Sequence, residues 1–507
     1  MSKKPSQNQQ TKKTATSQPS LGTRLSNASR RQWVWFAVWV VATILFSLWV
    51  GSPWILLFIL LFFDIYITKF VPWSFWKQSK NNTFRKTMEW VDAIVFALIA
   101  VYFINTFFFQ NYQIPTSSLE KSLLVGDFLA VSKLSYGPRA PITPLSFPLA
   151  QHTMPVIGGK SYIDRPQWKY RRLKGFGQVK RNDIVVFNFP TGDTVALNQQ
   201  STDFYLLSKD NPNGSAGVRS DKRTYGEIVY RPVDRRENYV KRCIGLPGET
   251  IELKDDAVYI DGTLLPNPRL SQHKYMIHTD GTIISPDVFK DLGISKDDYM
   301  RMDAYGQIVI HSQDLTGADS LSMAWNRLYP RNGNNGRVYF NIPLTDGMVE
   351  QLKAKPFVWD VIKEKEQPGQ AYYYPLNYET GWTRDTFGPL WIPKKGATIH
   401  FDSDTDFKVA AYERCIKNYE GNDFAYSDGK VYINGQVADS YTFQFDYYFM
   451  MGDNRHNSAD SRVWGFVPED HIVGQPMLIW LSLEKDNNWF NGKIRWKRLF
   501  RSAKIPA

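Results

Sequence analysis

From Trp33 to Phe63 the chain carries no charged residue, and Gly51-Ser52-Pro53 interrupts this apolar run near its middle. A single helix of that length would be ~46 Å long, well over a ~30 Å hydrocarbon core. The pattern therefore predicts a transmembrane helical hairpin over 33–70, with arms at roughly 33–50 and 54–70. A third apolar stretch, Trp90–Phe109, predicts another membrane helix over 90–109, with Asp92 near its start. These runs are too long for a cleaved signal peptide, and no small-residue cleavage site follows.

Beyond residue 127 the period shortens. "DFLAVSKL", "NDIVVFNF", "NYVKRCIGL", "AVYIDGTLL", "KVYINGQVA" and "DYYFMMGDN" are short, rich in β-branched and aromatic residues, and bounded by Gly, Pro, Asn or Asp. They predict a mainly β body. The main helical candidates there are 346–365 and 288–298. The segments 242–262 and 414–435 share R-C-I followed by V-Y-I-[DN]-G, which either two similar hairpins or chance would explain.

Charge sharpens the membrane reading. The net charge of +12 suggests nucleic acid, but residues 1–31 hold seven basic residues and no acid. Segment 69–89 adds Lys69, Lys77, Lys80, Arg85 and Lys86 against Glu89. Basic loops beside apolar helices belong on the cytoplasmic side, so the charge needs no nucleic-acid partner. A basic tail rich in Ser, Gln and Thr over 1–31 is expected to be disordered. The hairpin returns the chain to a basic cytoplasmic loop at 71–89. The third helix then delivers everything after about 110 to the outer face. Two cysteines, Cys243 and Cys415, match no metal spacing, and one bridge or two free thiols both remain open.

The candidate chemistry begins with "IPTSSLEKSLLVGD" (114–127). Ser118 lies nine residues past the third apolar stretch, and nine extended residues span only ~30 Å. A substrate must therefore be met near the bilayer. Three readings of this serine compete. Ser118 and Lys121 form an S-x-x-K pair, but no K-T-G or S-D-N triplet accompanies it. His456 would suit a Ser-His-Asp site, but no G-x-S-x-G surrounds any serine. The third reading uses Lys241, set among Tyr239, Val240, Cys243 and Ile244. A free lysine has a pKa of ~10.4, so burial must lower it by about 2–3 units for it to serve as a base.

Three stretches in order resemble bacterial type I signal peptidase (leader peptidase), a membrane-bound serine protease with a Ser-Lys dyad. They are "IPTSSLEKSLLVGDFLAV", "NDIVVFNFP" with "YVKRCIGLPGE", and "MGDNRHNSADSRVWGFVPE" (451–469). The resemblance implies Ser118 as nucleophile and Lys241 as general base, with Ser458 orienting the lysine. It implies an oxyanion hole from Thr116 and the Ser118 N–H, and structural support from Asp453, Asp460 and Arg462. Ile114 and Val240 would line shallow pockets for small side chains. The fold implied is a signal-peptidase-type twisted β-sheet catalytic domain behind N-terminal transmembrane helices. Its segments would be 111–262 and 436–485, with a large inserted accessory region at 263–435 and a basic-aromatic C-terminal segment at 486–507.

The implied activity is removal of N-terminal signal peptides from exported preproteins, cut after small-x-small motifs. No cofactor and no metal is implied. The implied partners are preprotein signal peptides, the lipid bilayer and the export machinery. The implied location is the bacterial inner membrane, multi-pass, with the N-terminus cytoplasmic and the catalytic domain outside. One departure stands out: Lys121 occupies the place where the family usually has proline. A membrane-anchored binding or assembly protein without catalysis is the alternative, and a self-cleaving repressor-type protease fits poorly with three membrane segments.

Overall fold

A computed structural model describes residues 20–200, 202–295, 298, 310–311, 337–485 and 487–504. Most of the 1–31 tail expectation, part of 288–298 and much of 296–336 lie outside them. The described residues form two compact units, divided between Ala100 and Val101.

In the first unit a short helix, α1 (Leu21–Ser26), precedes α2 (Arg30–Val50). Ser29 and Gln32 cap the start of α2 reciprocally, and Gly51 ends it at φ 65°, a left-handed conformation that favours glycine. The second arm, Pro53–Thr68, is a 3-10 turn, a short helix α3 (Phe58–Phe63) and a π turn. Trp39 stacks on Phe62 at 4.7 Å and its indole N–H donates to Tyr66 Oη at 3.0 Å, so the two arms pack together. This arm is shorter than the expected 54–70. Asp64 accounts for its end: the carboxylate accepts from Thr68 Oγ1, the Phe70 and Val71 N–H groups and the Trp73 indole, which turns the chain. A further helix, α4 (Asn82–Phe107), begins earlier than the apolar stretch alone predicts. Of these, α2 and α4 are long and apolar enough to cross a membrane.

The second unit is largely β. Its main sheet uses β1 (Phe109–Gln113), β2 (Asp127–Ser132), β3 (Ile184–Asn188) and β4 (Asn238–Gly245). Far along the chain it is completed by β12 (Tyr447–Met451), β13 (Val467–Pro468), β14 (Ile472–Ser482) and β15 (Arg501–Ser502). The order is β1-β2-β14-β3-β4-β12-β13, with β15 on β14, and every pairing is antiparallel. β3 is buried at all five positions, which explains its unbroken Ile-Val-Val-Phe run.

Between β4 and β12, beside a three-stranded and a two-stranded sheet, lie two four-stranded ones. One joins β5 (Thr250–Lys254), β6 (Ala257–Ile260), β7 (Thr263–Leu265) and β11 (Phe387–Trp391). The other joins β8 (His273–Thr279), β9 (Arg337–Leu344) and β10 (Val358–Lys363), with Ile310–His311 at its edge. The first shares a buried core with Ile244 of β4 and Tyr447, Phe449 and Met451 of β12, and the second has a core of its own.

Two sequence expectations change here. The 346–365 helix is a helix only at Asp346–Lys353, then becomes β10. Pro356 cannot continue a helix, and the Val358, Val361 and Ile362 that follow favour a strand. The helix expected at 288–298 is Pro286–Asp291, ended before Gly293 at φ 68°. The internal resemblance holds only in its second half. Val258–Gly262 and Val431–Gly435 are both hairpin turns, but Cys243 lies in a strand and Cys415 in a helical segment. Both thiols are buried and free, so no bridge links them.

Candidate active site

Ser118 sits in a 3-10 turn, Ser117–Leu119, that leaves β1. Leu119 and Leu123 are buried with Ile114 and Leu129, and this apolar anchor holds the turn. β4 brings Lys241 to it. Lys241 Nζ donates to Ser118 Oγ at 2.6 Å, across 123 residues of sequence. Both side chains are nearly enclosed, at 6% and 3% exposure. The ammonium also lies 5.6 Å from the Tyr239 ring centroid.

Burial brings the Lys241 amine down to about 8, against the opposing pull of Asp460 and Asp453. Those carboxylates are occupied by arginines. Asp460 takes Arg462 Nε at 2.9 Å and Nη2 at 2.8 Å. Burial alone would raise the Asp460 carboxyl, but Arg462 holds it below the usual range.

The sequence reading missed the other half of this brace. Asp453 pairs not with Arg462 but with Arg242, through Nε and Nη2 at 2.7 Å each, and accepts from Ser122 Oγ at 2.6 Å. Residues alternate faces along a strand, so Lys241 and Arg242 serve opposite sides of β4. An arginine inside an apolar strand needs a partner, and that was the signal available.

The 452–458 loop meets the serine turn directly. Asn454 N–H donates to Ser118 O at 3.0 Å, and Asn457 Nδ2 donates to Ser117 Oγ at 3.0 Å. Neither asparagine was singled out from sequence.

Other expected residues stand differently. Ser458 is half-buried, and its hydroxyl donates to the Ala459 carbonyl at 3.3 Å rather than bonding Lys241. Its closeness to the site comes through the backbone of Gly452, where an added Cβ would meet both Ser458 Oγ and Ser118 O. Thr116 is exposed and extended immediately before the turn. Ile114 is 2% exposed in the core, and Val240 is half-buried against the same cluster.

The rival partners are elsewhere. Lys121 is in the left-handed region at φ 69°, so it does not follow Ser118 by one helical turn, and its amine donates to Gly293 O. Beside it, burial pushes Glu120 up to about 7 against the pull of Lys121. His456 is a buried residue rather than a surface one. Its Nδ1 accepts from the Lys274 N–H, and its Nε2 faces Asp385 at 2.7 Å and Asp256 at 3.2 Å. No serine is among these contacts.

A serine held against a buried lysine amine in a closed site is an arrangement that a serine peptidase would use. The family model "Signal peptidase, peptidase S26" matches residues 87–310 and 439–481, more than half of the chain. Signal peptidase I of Buchnera aphidicola (from Acyrthosiphon pisum) is 23% identical over 432 residues, covering 83% of each chain. That of Haemophilus influenzae is 23% identical, covering 84% of this chain and 79% of its own. That of Helicobacter pylori J99 is 28% identical over 144 residues, covering 26% of this chain and 49% of its own. The chain belongs to the signal peptidase family, peptidase S26. It is a hydrolase whose substrates are preproteins bearing signal peptides, and its two long apolar helices associate it with a membrane.

Proposed function

We propose that this protein cuts signal peptides from exported preproteins by Ser-Lys acyl-enzyme catalysis. The observation that carries the reading is the 2.6 Å contact between Lys241 Nζ and Ser118 Oγ in a buried site. A neutral Lys241 takes the Ser118 proton as Oγ attacks the scissile carbonyl. The protonated amine then gives its proton to the leaving amine. In the second half Lys241 draws a proton from water, which hydrolyses the ester and restores the serine. An amine near 8 suits both directions of this traffic at neutral pH.

The oxyanion would rest on the Ser118 N–H, in the first turn of the 3-10 segment where no intrahelical acceptor exists, and on Thr116 Oγ1. β1 is an edge strand of the main sheet, so a substrate can add to it as an extended strand. Small side chains would fit over Val240 and Ile114, giving the small-x-small preference. Ser458 would turn toward the amine once substrate closes the site. The 33–70 hairpin and the third helix would set the catalytic unit outside the bilayer, near the export machinery, with 263–435 as the accessory insertion.

Cleavage of a purified preprotein in detergent tests the dyad. Ser118→Ala and Lys241→Ala should each abolish cleavage, and Lys121→Ala should leave most of it. Activity lost only in Lys121→Ala would overturn the assignment. A wild-type chain without activity would favour a binding protein.

A further inference from the structure

A cavity of about 630 Å³ opens beside the last turns of α4. Val101, Tyr102 and Ile104 form its apolar wall, and the stretch 146–151 faces them. Tyr102 Oη donates to Pro144 O at 3.1 Å, which ties the end of α4 to the loop carrying that stretch. Phe147 and Leu149 line the cavity and are also exposed, Leu149 at 74%.

The polar lining is unbalanced. Lys133, Arg139 and Arg235 contribute three cations, and Asp234 is the one carboxylate among the lining residues. Asp234 is already engaged by the Thr143 N–H and Oγ1, each at 2.8 Å, with Arg235 at 3.7 Å. Arg139 is spent on Asp470 O and on Asn188 Oδ1 at 2.7 Å. Arg235 Nη2 donates to Ser146 Oγ at 2.9 Å and Thr143 O at 3.3 Å. Among the described residues the Lys133 ammonium makes no hydrogen bond or ion pair. Burial, with Arg139 and Arg235 adding to it, pushes that amine down to about 7. A bound anion would supply the partner that Lys133 lacks among the described residues.

We infer that this cavity holds the phosphate headgroup of an anionic membrane lipid, with Lys133 as its ion-pairing residue and Phe147 and Leu149 flanking the acyl chains. The inference rests on the reading that α4 crosses the bilayer. That reading also favours lipid over peptide, since one wall is the end of a membrane helix and the rim is apolar. A soluble anion would find no use for that rim.

The test uses the full chain in nanodiscs of phosphatidylcholine, with or without a minority of phosphatidylglycerol. Extraction into mild detergent and native mass spectrometry then counts the retained lipid. Wild type and Lys133→Arg should retain one phosphatidylglycerol. Lys133→Ala should retain about tenfold less, the loss of one charge-assisted contact. Leu149→Glu, on the exposed rim, should lose retention without disturbing the fold. In phosphatidylcholine alone, Lys133→Ala should cleave preprotein as wild type does.

Equal retention by wild type and Lys133→Ala overturns the proposal. So does full displacement of the lipid by inorganic phosphate alone, which would make a free anion the ligand. A Lys133→Ala protein with intact lipid retention, but a raised KM for preproteins acidic near the cut, would assign the cavity to substrate. A chain that never enters the discs fails the membrane reading instead. A chain that enters and retains no phosphatidylglycerol fails this one.

Discussion

Lys241 illustrates what a catalytic reading asks of one side chain. Its amine must be neutral to accept the serine proton, so activity should rise with pH as the amine loses its own. We expect kcat/KM for a preprotein to climb through an apparent pKa of about 8 and then level. A profile flat from pH 6 to 9 would remove Lys241 as the base. The same burial has a stability cost. Between about 8 and the unfolded value of ~10.4 the unfolded chain binds the extra proton, so stability rises with pH across that window. Below it the charged, buried amine is unfavourable by about 3 kcal/mol. Lys241→Met should therefore raise Tm at pH 7 while abolishing cleavage, a trade expected at functional sites. Arg242 is the opposite case. Removing it leaves Asp453 buried and unpaired, and Arg242→Ala should cost about 3–5 kcal/mol in denaturant unfolding.

At the scale of elements, the site depends on a close crossing of two loops. Gly452 lies where any Cβ would press on Ser118 O at 2.6 Å and on the Ser458 hydroxyl. Gly452→Ala should shift the serine turn and lower kcat by about 10²-fold, with a smaller effect on KM. Pre-steady-state acylation kinetics would separate this from product release. Elements also mark where periodicity stops informing. β3 was legible because its short Ile-Val-Val-Phe run suits a buried strand, and β4 because Tyr239, Val240 and Ile244 lie in a short segment bounded by Asn238 and Gly245. The stretch 346–365 was not, because Pro356 alone divides a helix from a strand of similar composition. The R-C-I repeat misled for a related reason. Three residues do not specify a backbone, and Cys415 follows a ten-residue helix, Thr405–Arg414, that its counterpart lacks.

At the scale of the whole molecule, the stretch proposed as an insertion, 263–435, meets the site at several places. The Gln272 N–H donates to Asp453 O and the Arg455 N–H to Gln272 O, so the approach to β8 runs alongside the 453–455 loop. Lys121 reaches Gly293 from the other side. The residue that departs from the family pattern thus holds the insertion, and Lys121→Ala should speed limited proteolysis near 286–295 while cleavage persists. Membrane orientation is tested with single cysteines, since Cys243 and Cys415 are buried and should stay unreactive. In intact cells Ser52→Cys should label from outside and Lys80→Cys only after permeabilisation. Labelling of Lys80→Cys from outside would reverse the proposed topology.

The sequence alone determined the apolar helices and the β character of the body, because each rests on local composition, and its motifs pointed to Ser118 and Lys241 as the pair to propose. It named Asp460 together with its partner Arg462, and Asp453 without Arg242. Only tertiary structure decided that Arg242 holds Asp453, that Asn454 and Asn457 grip the serine turn, that His456 is buried, and that Ser458 faces its own backbone. The pairings of Arg242, Asn454 and Asn457 run across hundreds of residues, and a chain's periodicity carries the faces of its elements, not the registry in which distant elements meet.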